Sequence, residues 1–579
     1  MSKLNIDQSS IRKLFEDKKS DFLIPDYQRP YAWGEDECQT LWEDIFEFAF
    51  PDGNVNAFNH DEEYYLGPIV TFKNENNKKE IIDGQQRLTT LMLLLRAFYS
   101  KFENMSVKDE NSQQTTELIA RCIWKTNEFG KPNKDELKID SEVATDNDKE
   151  EFLQILKTGN ADKLKSKYAE NYRYFQRKIN DFIMNSAPFF AFLPIRILNN
   201  CILLPIEAED QNTALRIFST LNDRGKPLSD ADIFKAQFYK YYSDKGQKTE
   251  FIEKWRSLEE KCDKMFKPVS GTPLDELFTR YMYFERAKRN IKSSTTEALR
   301  KFYEKDKYSL LKNDYILDDL IDLANFWEDV NTQDNGRFSD EILKRLFVLN
   351  YAPNSMWTYF VSVYYLQYRG PNGELDNNKF YHFLNKITAF IFAYAVAYPG
   401  VNALRSPVYN EMINIVNDKP IEFEDYKFDV TLLKKQFNNY TFNNSRPITK
   451  SMLAWWAFND PNQHLIKLDF VFEIEHIYAR KRYENEKSLS NKLNLEKLGN
   501  KSLLEKGINI RASDYRFNDK KKYYEGFTQS NGKKKDATEI VSLREMVNLV
   551  DFEENDIEAR DDLIINSFIQ YIIDNDLNK

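Results

Sequence analysis

The sequence predicts a helix-rich, multidomain α+β protein, and three observations carry that expectation. Length is the first: 579 residues, at roughly 150 per domain, make three or four domains. The second is a scarcity of chain breakers. Gly (17) and Pro (18) are together about 6% of the chain, half the usual ~12%, which favours long helices over many short strands. The third is composition. With 41% hydrophobic and 30% charged residues, the chain fills several cores and is not a disordered protein. Aromatic residues reach 15%, mostly Phe (43) and Tyr (33), large groups for packing and for stacking.

The elements follow in order. Residues 64–72 (YYLGPIVTF) are β-branched and aromatic and read as a strand. A polar turn (KNENNK) leads to a second, short strand at 80–83 (EIID), and 88–99 is a leucine-rich helix. Polar helices and loops fill 113–178. Residues 201–206 (CILLPI) read as a buried strand, followed by helices at 212–221 and 230–242. From about 246 to 420 the pattern is helical and rich in Tyr, Phe and Trp. The last module begins within 420–465 and holds a strand-like run at 468–474 (LDFVFEI), a charged loop, a second apolar run and a helix.

Several classes are excluded. Cys38, Cys122, Cys201 and Cys262 stand far apart with no CxxC, which rules out a disulfide scaffold and a cysteine zinc site and fits a reducing, cytoplasmic setting. No secretory signal is visible. The longest apolar stretch, 387–398, is shorter than the ~20 residues of a membrane span and reads as a buried core helix. A net charge of -10 opposes DNA binding over the whole surface. One basic island stands out: residues 473–535 carry 16 Lys/Arg against 9 Asp/Glu, whereas 551–579 carry 2 against 9. A charge run alone is more often a solvated face; the residues inside this one argue for more.

Ile81-Ile82-Asp83-Gly84-Gln85-Gln86-Arg87-Leu88 reads as strand, turn and helix. A helix N-terminus presents unpaired N–H groups and a partial positive charge, and both favour an anion. Gly84 permits close backbone approach, Gln85 and Gln86 add amide donors, and Arg87 adds a planar cation suited to phosphate. Asp83 is placed to hold a metal, orient Arg87 or position a water. Upstream, two prolines hold Tyr27-Gln28-Arg29 extended, with Gln28 and Arg29 in reach of a nucleotide. Downstream, Ser229 with Asp232 forms a capping box, Gly225 ends the preceding helix, and Asn222, Arg224 and Lys235 form a donor cluster.

Taken together, IPDYQRPYAWG, YYLGPIV, IIDGQQRLTTL and FSTLNDRGKPLSDADIFK resemble the N-terminal domain of GmrSD-type modification-dependent restriction endonucleases. The resemblance implies a ParB/sulfiredoxin-like fold that hydrolyses nucleotides, phosphate contacts by Asp83, Gly84, Gln85, Gln86 and Arg87, and support from Gln28, Arg29, Asn222 and Arg224.

Of the four histidines, His60 sits in an acidic loop, His382 in an aromatic helix and His464 in a polar loop. His476 closes a strand. A Gly499-Asn500 pair follows about 24 residues later, then Asn509 and a helix with the run Lys520-Lys521-Lys522. That order suits a one-metal phosphodiester hydrolase. A neutral imidazole is a general base, Asn500 fixes its ring, Glu475 and Asn509 offer hard oxygen ligands to Mg²⁺, and Lys521 neutralises phosphate. The set is similar to the C-terminal His-Me finger (HNH-like, ββα-metal) nuclease domain of the same family, with Ala479 where proline is usual and Lys501 in place of an apolar residue.

The expectation is therefore three domains: 1–245, a nucleotide-binding NTPase; 246–425, an aromatic-rich helical domain; and 426–579, a nuclease with an acidic C-terminal tail. The function expected is an NTP-regulated, Mg²⁺-dependent endonuclease of prokaryotic anti-phage defence. It would act on double-stranded, modified phage DNA, use GTP, UTP, CTP or ATP, and work alone or as a homodimer. The alternatives are a nucleotide-switched DNA-binding protein with an inactive nuclease domain, or an RNA-cleaving toxin.

Overall fold

A computed structural model describes residues 5–579 apart from 7, 19, 144–145, 212, 215–216, 218–228, 296, 401–402 and 513–515. The expected helix at 212–221, its terminating Gly225, and Asn222 and Arg224 thus lie wholly or largely outside the described residues. Two compact units form, Met1–Ser257 and Leu258–Lys579. Their division falls inside the Lys248–Met265 helix.

In the first unit a mixed sheet runs in the order Asn5–Ile6, Cys201–Ala208, Tyr64–Lys73, Lys79–Asp83, Phe22–Ile24, Ile139–Ser141, and Ser9–Ser10 also pairs with Cys201–Ala208. Tyr64–Lys73 runs parallel to Cys201–Ala208 and antiparallel to Lys79–Asp83. The hairpin turn between the last two is tied by Asn74, whose side-chain oxygen accepts from the N–H groups of Asn76 and Lys78. The Gln85–Glu103 helix is almost wholly buried on every side, its polar Gln85, Gln86, Thr89, Thr90 and Arg96 included. Ser229 and Asp232 form the expected capping box at the start of Asp230–Asp244. Pro132–Leu137 is a strand that the sequence does not announce: PNKDEL is polar throughout and shows no alternation.

The second unit is helical, with Asn377–Ala397 at its heart and buried along most of its length. This helix contains most of the 387–398 stretch, and among the described residues no single helix is long and apolar enough to cross a membrane. The acidic end is not a tail. Residues Glu554–Asp574 form a helix that buries Ile557, Ile564, Ile565, Phe568 and Ile572, and its Tyr571 hydroxyl lies 2.7 Å from Asn385 Oδ1. The same helix crosses the Leu498–Asn500 turn, where a side chain at Gly499 would collide with the Ile557 carbonyl. Its polar face meets the basic island, so charges segregated along the sequence become neighbours. Glu554 accepts from Ser490 and Asn494, and Arg560 donates to three carbonyls around Gly499. Just before the helix, Asp551 pairs with Arg482 through both oxygens.

Candidate functional site

Two places carry the expected site residues, one in each unit. In the first, Gly84 adopts φ +93°, ends the Lys79–Asp83 strand and caps the Gln85–Glu103 helix. A Cβ there would press on Ile69 at 3.1 Å. Arg87 folds back over the neighbouring strand, where Nη1 donates to the Pro68 carbonyl at 2.8 Å. Its guanidinium lies where a side chain at Gly67 would stand, 3.0 Å from that Cβ position, and Gly67 has φ +120°. Gly67 is a site-building residue missed in the sequence; a glycine inside a strand was the available signal. Burial raises the Asp83 pKa, while Arg87, the Gly84 N–H and Arg29 oppose that rise. Arg87 is shifted down by the same burial and held up by Asp83.

The three glutamines behave differently from expectation. Gln28 Nε2 donates to the carbonyls of Ile81 and Ile82 at 3.1 and 3.2 Å. Gln85 Nε2 donates to the Arg29 carbonyl at 2.9 Å. Gln86 accepts from the N–H groups of Ala32 and Trp33 and donates to the Pro30 carbonyl. All three are buried, and a buried amide must be paired. Gln28, Gln86 and the Gln85 amide nitrogen thus lace residues 28–33 to the turn, Gln85 Oε1 makes no hydrogen bond among the described residues, and Arg29 stands close enough to act on the Asp83 carboxylate.

In the second unit, Phe472–His476 and Lys501–Glu505 form an antiparallel hairpin, with His476 opposite Lys501. The Lys506–Ala512 and Phe517–Glu525 helices follow it. The strand begins later than the expected 468. Successive side chains on a strand face opposite ways, and this splits the expected set. On the His476 face, Nε2 of the ring is buried, makes no hydrogen bond among the described residues, and lies 4.0 Å from Glu496 Oε1. Glu496 is held by Lys501 at 2.6 Å and Arg480 at 2.6 Å. Burial first, then the cations Lys501 and Arg480, lower the His476 pKa to about 3 against the opposing pull of Glu496. The ring is therefore neutral at neutral pH.

On the other face stand Glu473 and Glu475. Glu475 is buried; its Oε1 accepts from Lys520 Nζ and from the Tyr524 hydroxyl, each at 2.7 Å. Lys520 also donates to the His476 carbonyl at 2.5 Å. Glu475 is thus anchored in a clamp and does not fit the metal-ligand role expected of it. Asn509 does lie beside a carboxylate, but its Nδ2 donates to Glu473 at 3.0 Å. Asn500 is fully buried: its Oδ1 accepts from the Tyr478 N–H, and its Nδ2 donates to the carbonyls of Tyr478 and Leu495. It fixes the loop after His476 through the backbone and makes no bond to the ring, a correction to the expected contact. Lys521 turns its ammonium onto the carbonyls of Leu549 and Val550, so the cation at the heart of this site is its neighbour Lys520. The signal for Lys520 was its spacing of four from Tyr524, one turn on a single helix face. Glu496 carried no signal, because only the fold brings it to His476.

The two departures from the usual pattern have simple accounts. Ala479 has φ -68°, within the range proline imposes, so the loop keeps the shape that proline would set. Lys501 is buried, and its Nζ is satisfied by the Phe442 carbonyl, Asn444 and Glu496; it adds a cation beside the histidine.

Among the described residues, no cluster of three His, Cys, Asp or Glu side chains is placed to hold a metal. Asn509, one of the two expected ligands, meets the carboxylate of Glu473, which was not expected at the site, rather than that of Glu475. Such hard oxygen groups fit Mg²⁺, which keeps several waters of its own.

No curated protein matches this chain. Two family models do: the GmrSD restriction endonuclease N-terminal domain over residues 11–239, and the GmrSD restriction endonucleases C-terminal domain over residues 422–567. The first spans the Asp83–Arg87 turn and the second the His476 hairpin, and together they take in more than half of the sequence. The chain belongs to the GmrSD restriction endonucleases.

Proposed function

We propose that this restriction endonuclease is a nucleotide-regulated, metal-dependent nuclease of anti-phage defence that cuts modified foreign DNA, with His476 as its general base. The observation that carries the reading is the His476 ring, whose buried Nε2 makes no hydrogen bond among the described residues and lies 4.0 Å from Glu496 Oε1. The unprotonated ring can accept a proton from water, but with its pKa held at about 3 it is a weak base until an anionic phosphate enters beside it and raises that pKa. As Nε2 takes that proton, Glu496 becomes the counter-ion of the imidazolium. Lys520 and Asn500 hold the strand end and the following loop, so the ring keeps its place. Mg²⁺, when bound, would supply charge stabilisation to the phosphate; Glu473 with Asn509 stands on the strand face opposite His476 and so is not the pair that would hold it beside the ring. The hairpin followed by a helix supports a His-Me finger assignment, and the mixed sheet with its glycine turn supports a ParB/sulfiredoxin-like nucleotide domain. There, the helix N-terminus with Arg87 and Arg29 would take the phosphates of a nucleoside triphosphate.

A second reading, a nucleotide-switched DNA-binding protein that does not cut, is favoured by one observation: Glu475 is committed to Lys520 and Tyr524. Plasmid cleavage separates the two. With Mg²⁺ and each of GTP, UTP, CTP and ATP in turn, unmodified and modified plasmids are compared for wild type and His476→Ala. Loss of a general base lowers the rate by roughly 100-fold or more. Equal cutting by the variant overturns the site, and nucleotide-dependent DNA retention without scission selects the second reading.

A further inference from the structure

The second unit holds a cavity of about 440 Å³, none of whose lining residues belongs to the His476 hairpin. That volume suits a small molecule, since such sites span about 300–1,000 Å³. Its wall is aromatic. The rings of Trp327 and Trp357 meet edge to face at 5.7 Å, and the Arg280 guanidinium is layered between Phe266 at 4.4 Å and Trp327 at 4.2 Å.

Arg280 is 7% exposed. Its Nε donates to Glu276 Oε1 at 3.0 Å, and its Nη1 is buried with no hydrogen-bond partner among the described residues. Burial lowers the guanidinium's pKa, and Glu276 offsets part of that shift. A buried donor without an acceptor is costly; Arg196, Arg286 and Arg345 also leave donors unpaired, but none of these three lines this cavity. Here one donor is left over, next to Glu276, which accepts from Arg280 and from the Tyr359 hydroxyl at 3.4 Å, and beside the edge-to-face pair Trp327 and Trp357. Glu276 argues against a bare phosphate or another polyanion as the occupant. A donor and an acceptor side by side instead match the edge of a nucleobase, which presents both in one plane, and nucleobases stack on aromatic side chains.

We propose that this cavity receives a single unpaired nucleobase, its edge on Arg280 Nη1 and Glu276 and its ring against the Trp327–Trp357 wall. The inference rests on the reading of the chain as an enzyme that acts on DNA. A base taken out of its stack is the source within a DNA strand; a free nucleoside is the other source of the same chemistry.

The test is equilibrium binding to the full chain carrying His476→Ala, so that cleavage plays no part. The probes are the four deoxynucleosides, which lack the phosphate that the Asp83–Arg87 turn would take, and duplex oligonucleotides with and without one extrahelical base. Asn331→Trp fills the cavity from an exposed lining position, and Arg280→Met removes the leftover donor. Melting curves verify folding, and if Arg280→Met fails to fold, Asn331→Trp decides alone. The expected result is that the extrahelical base tightens duplex binding and that Asn331→Trp weakens this gain by roughly tenfold or more. Deoxynucleoside binding that is lost in Asn331→Trp, with no gain from the extrahelical base, assigns the cavity to a free nucleoside. Binding of every probe that is indifferent to Asn331→Trp, or binding of duplex alone with no effect of the extra base, overturns the cavity assignment. Failure to bind any DNA or nucleoside overturns it too, and the failure to bind DNA also counts against the DNA-acting reading.

Discussion

The Asp83–Arg87 turn and the His476 hairpin are built alike and finished differently. Each places a strand end, a tight turn and a helix next to one another, and each commits its motif amides to the backbone. At the turn, Gln28, Gln85 and Gln86 lace one chain segment and leave two arginines facing Asp83. At the hairpin, Asn500 does the lacing, but strand alternation sends the neighbouring acid and base to opposite faces. The lesson is that motif polarity in a buried site serves geometry first, because an unpaired buried amide is destabilising. The groups left for chemistry are the few that lacing does not use.

That comparison can be broken at its strongest point, the clamp. Glu475→Ala leaves Lys520 charged, buried and unpaired, and is expected to destabilise the protein by about 3–5 kcal/mol in denaturant unfolding. Glu475→Leu with Lys520→Met, an apolar pair, is expected to recover most of it. If Glu475→Ala instead leaves stability intact and abolishes metal dependence, Glu475 is a ligand and the two faces are not distinct. The next largest effect lies at the turn: Gln86→Leu strands the N–H groups of Ala32 and Trp33 and is expected to cost about 1–3 kcal/mol. A loss of nucleotide binding with unchanged stability would restore Gln86 to a direct contact.

The histidine gives a pH signature. Its folded pKa of about 3 lies below its ordinary value of 6.5, so between those limits the unfolded chain binds more protons and stability falls with falling pH. From about pH 7.5 to 5.5 this one group removes about 1.4 kcal/mol, a loss expected to be absent from His476→Gln. In Lys501→Met the imidazole titrates at higher pH than in wild type, measurable by NMR; an unmoved titration would remove Lys501 from the causes. The smallest effect is at Lys521, whose ammonium rests on exposed carbonyls: Lys521→Ala is expected to change stability by no more than about 0.5 kcal/mol and to reduce the salt dependence of DNA binding little.

Much of the local structure was legible. Residues 64–72 and 201–206 read as strands because they are β-branched and apolar, and both sit in the sheet as Tyr64–Lys73 and Cys201–Ala208. The Ser229–Asp232 box and the 387–398 core helix were equally plain, each written in adjacent or periodic residues. Pro132–Leu137 was misread because its central charged and polar residues look like loop, whereas Glu554–Asp574 carries a helical apolar stripe, Ile557, Ile564, Ile565, Phe568 and Ile572, that its net negative charge obscured. At the site, His476 and Asn509 were found where strand and helix were expected, whereas Lys520 and Glu496 were passed over for Lys521 and Glu475.

Sequence by itself determined which residues form the turn, the hairpin and their helices, since backbone preference and short-range patterning are local, and it determined the family through motifs in order. Tertiary structure alone decided which polar groups meet. It set Glu496 beside His476, turned Glu475 to Lys520 and Tyr524, and folded the acidic helix onto the basic island. The reason is physical: a side chain's charge state and partners depend on what lies across the fold within a few ångströms, and pairing across a strand or between helices is not encoded at any fixed spacing along the chain.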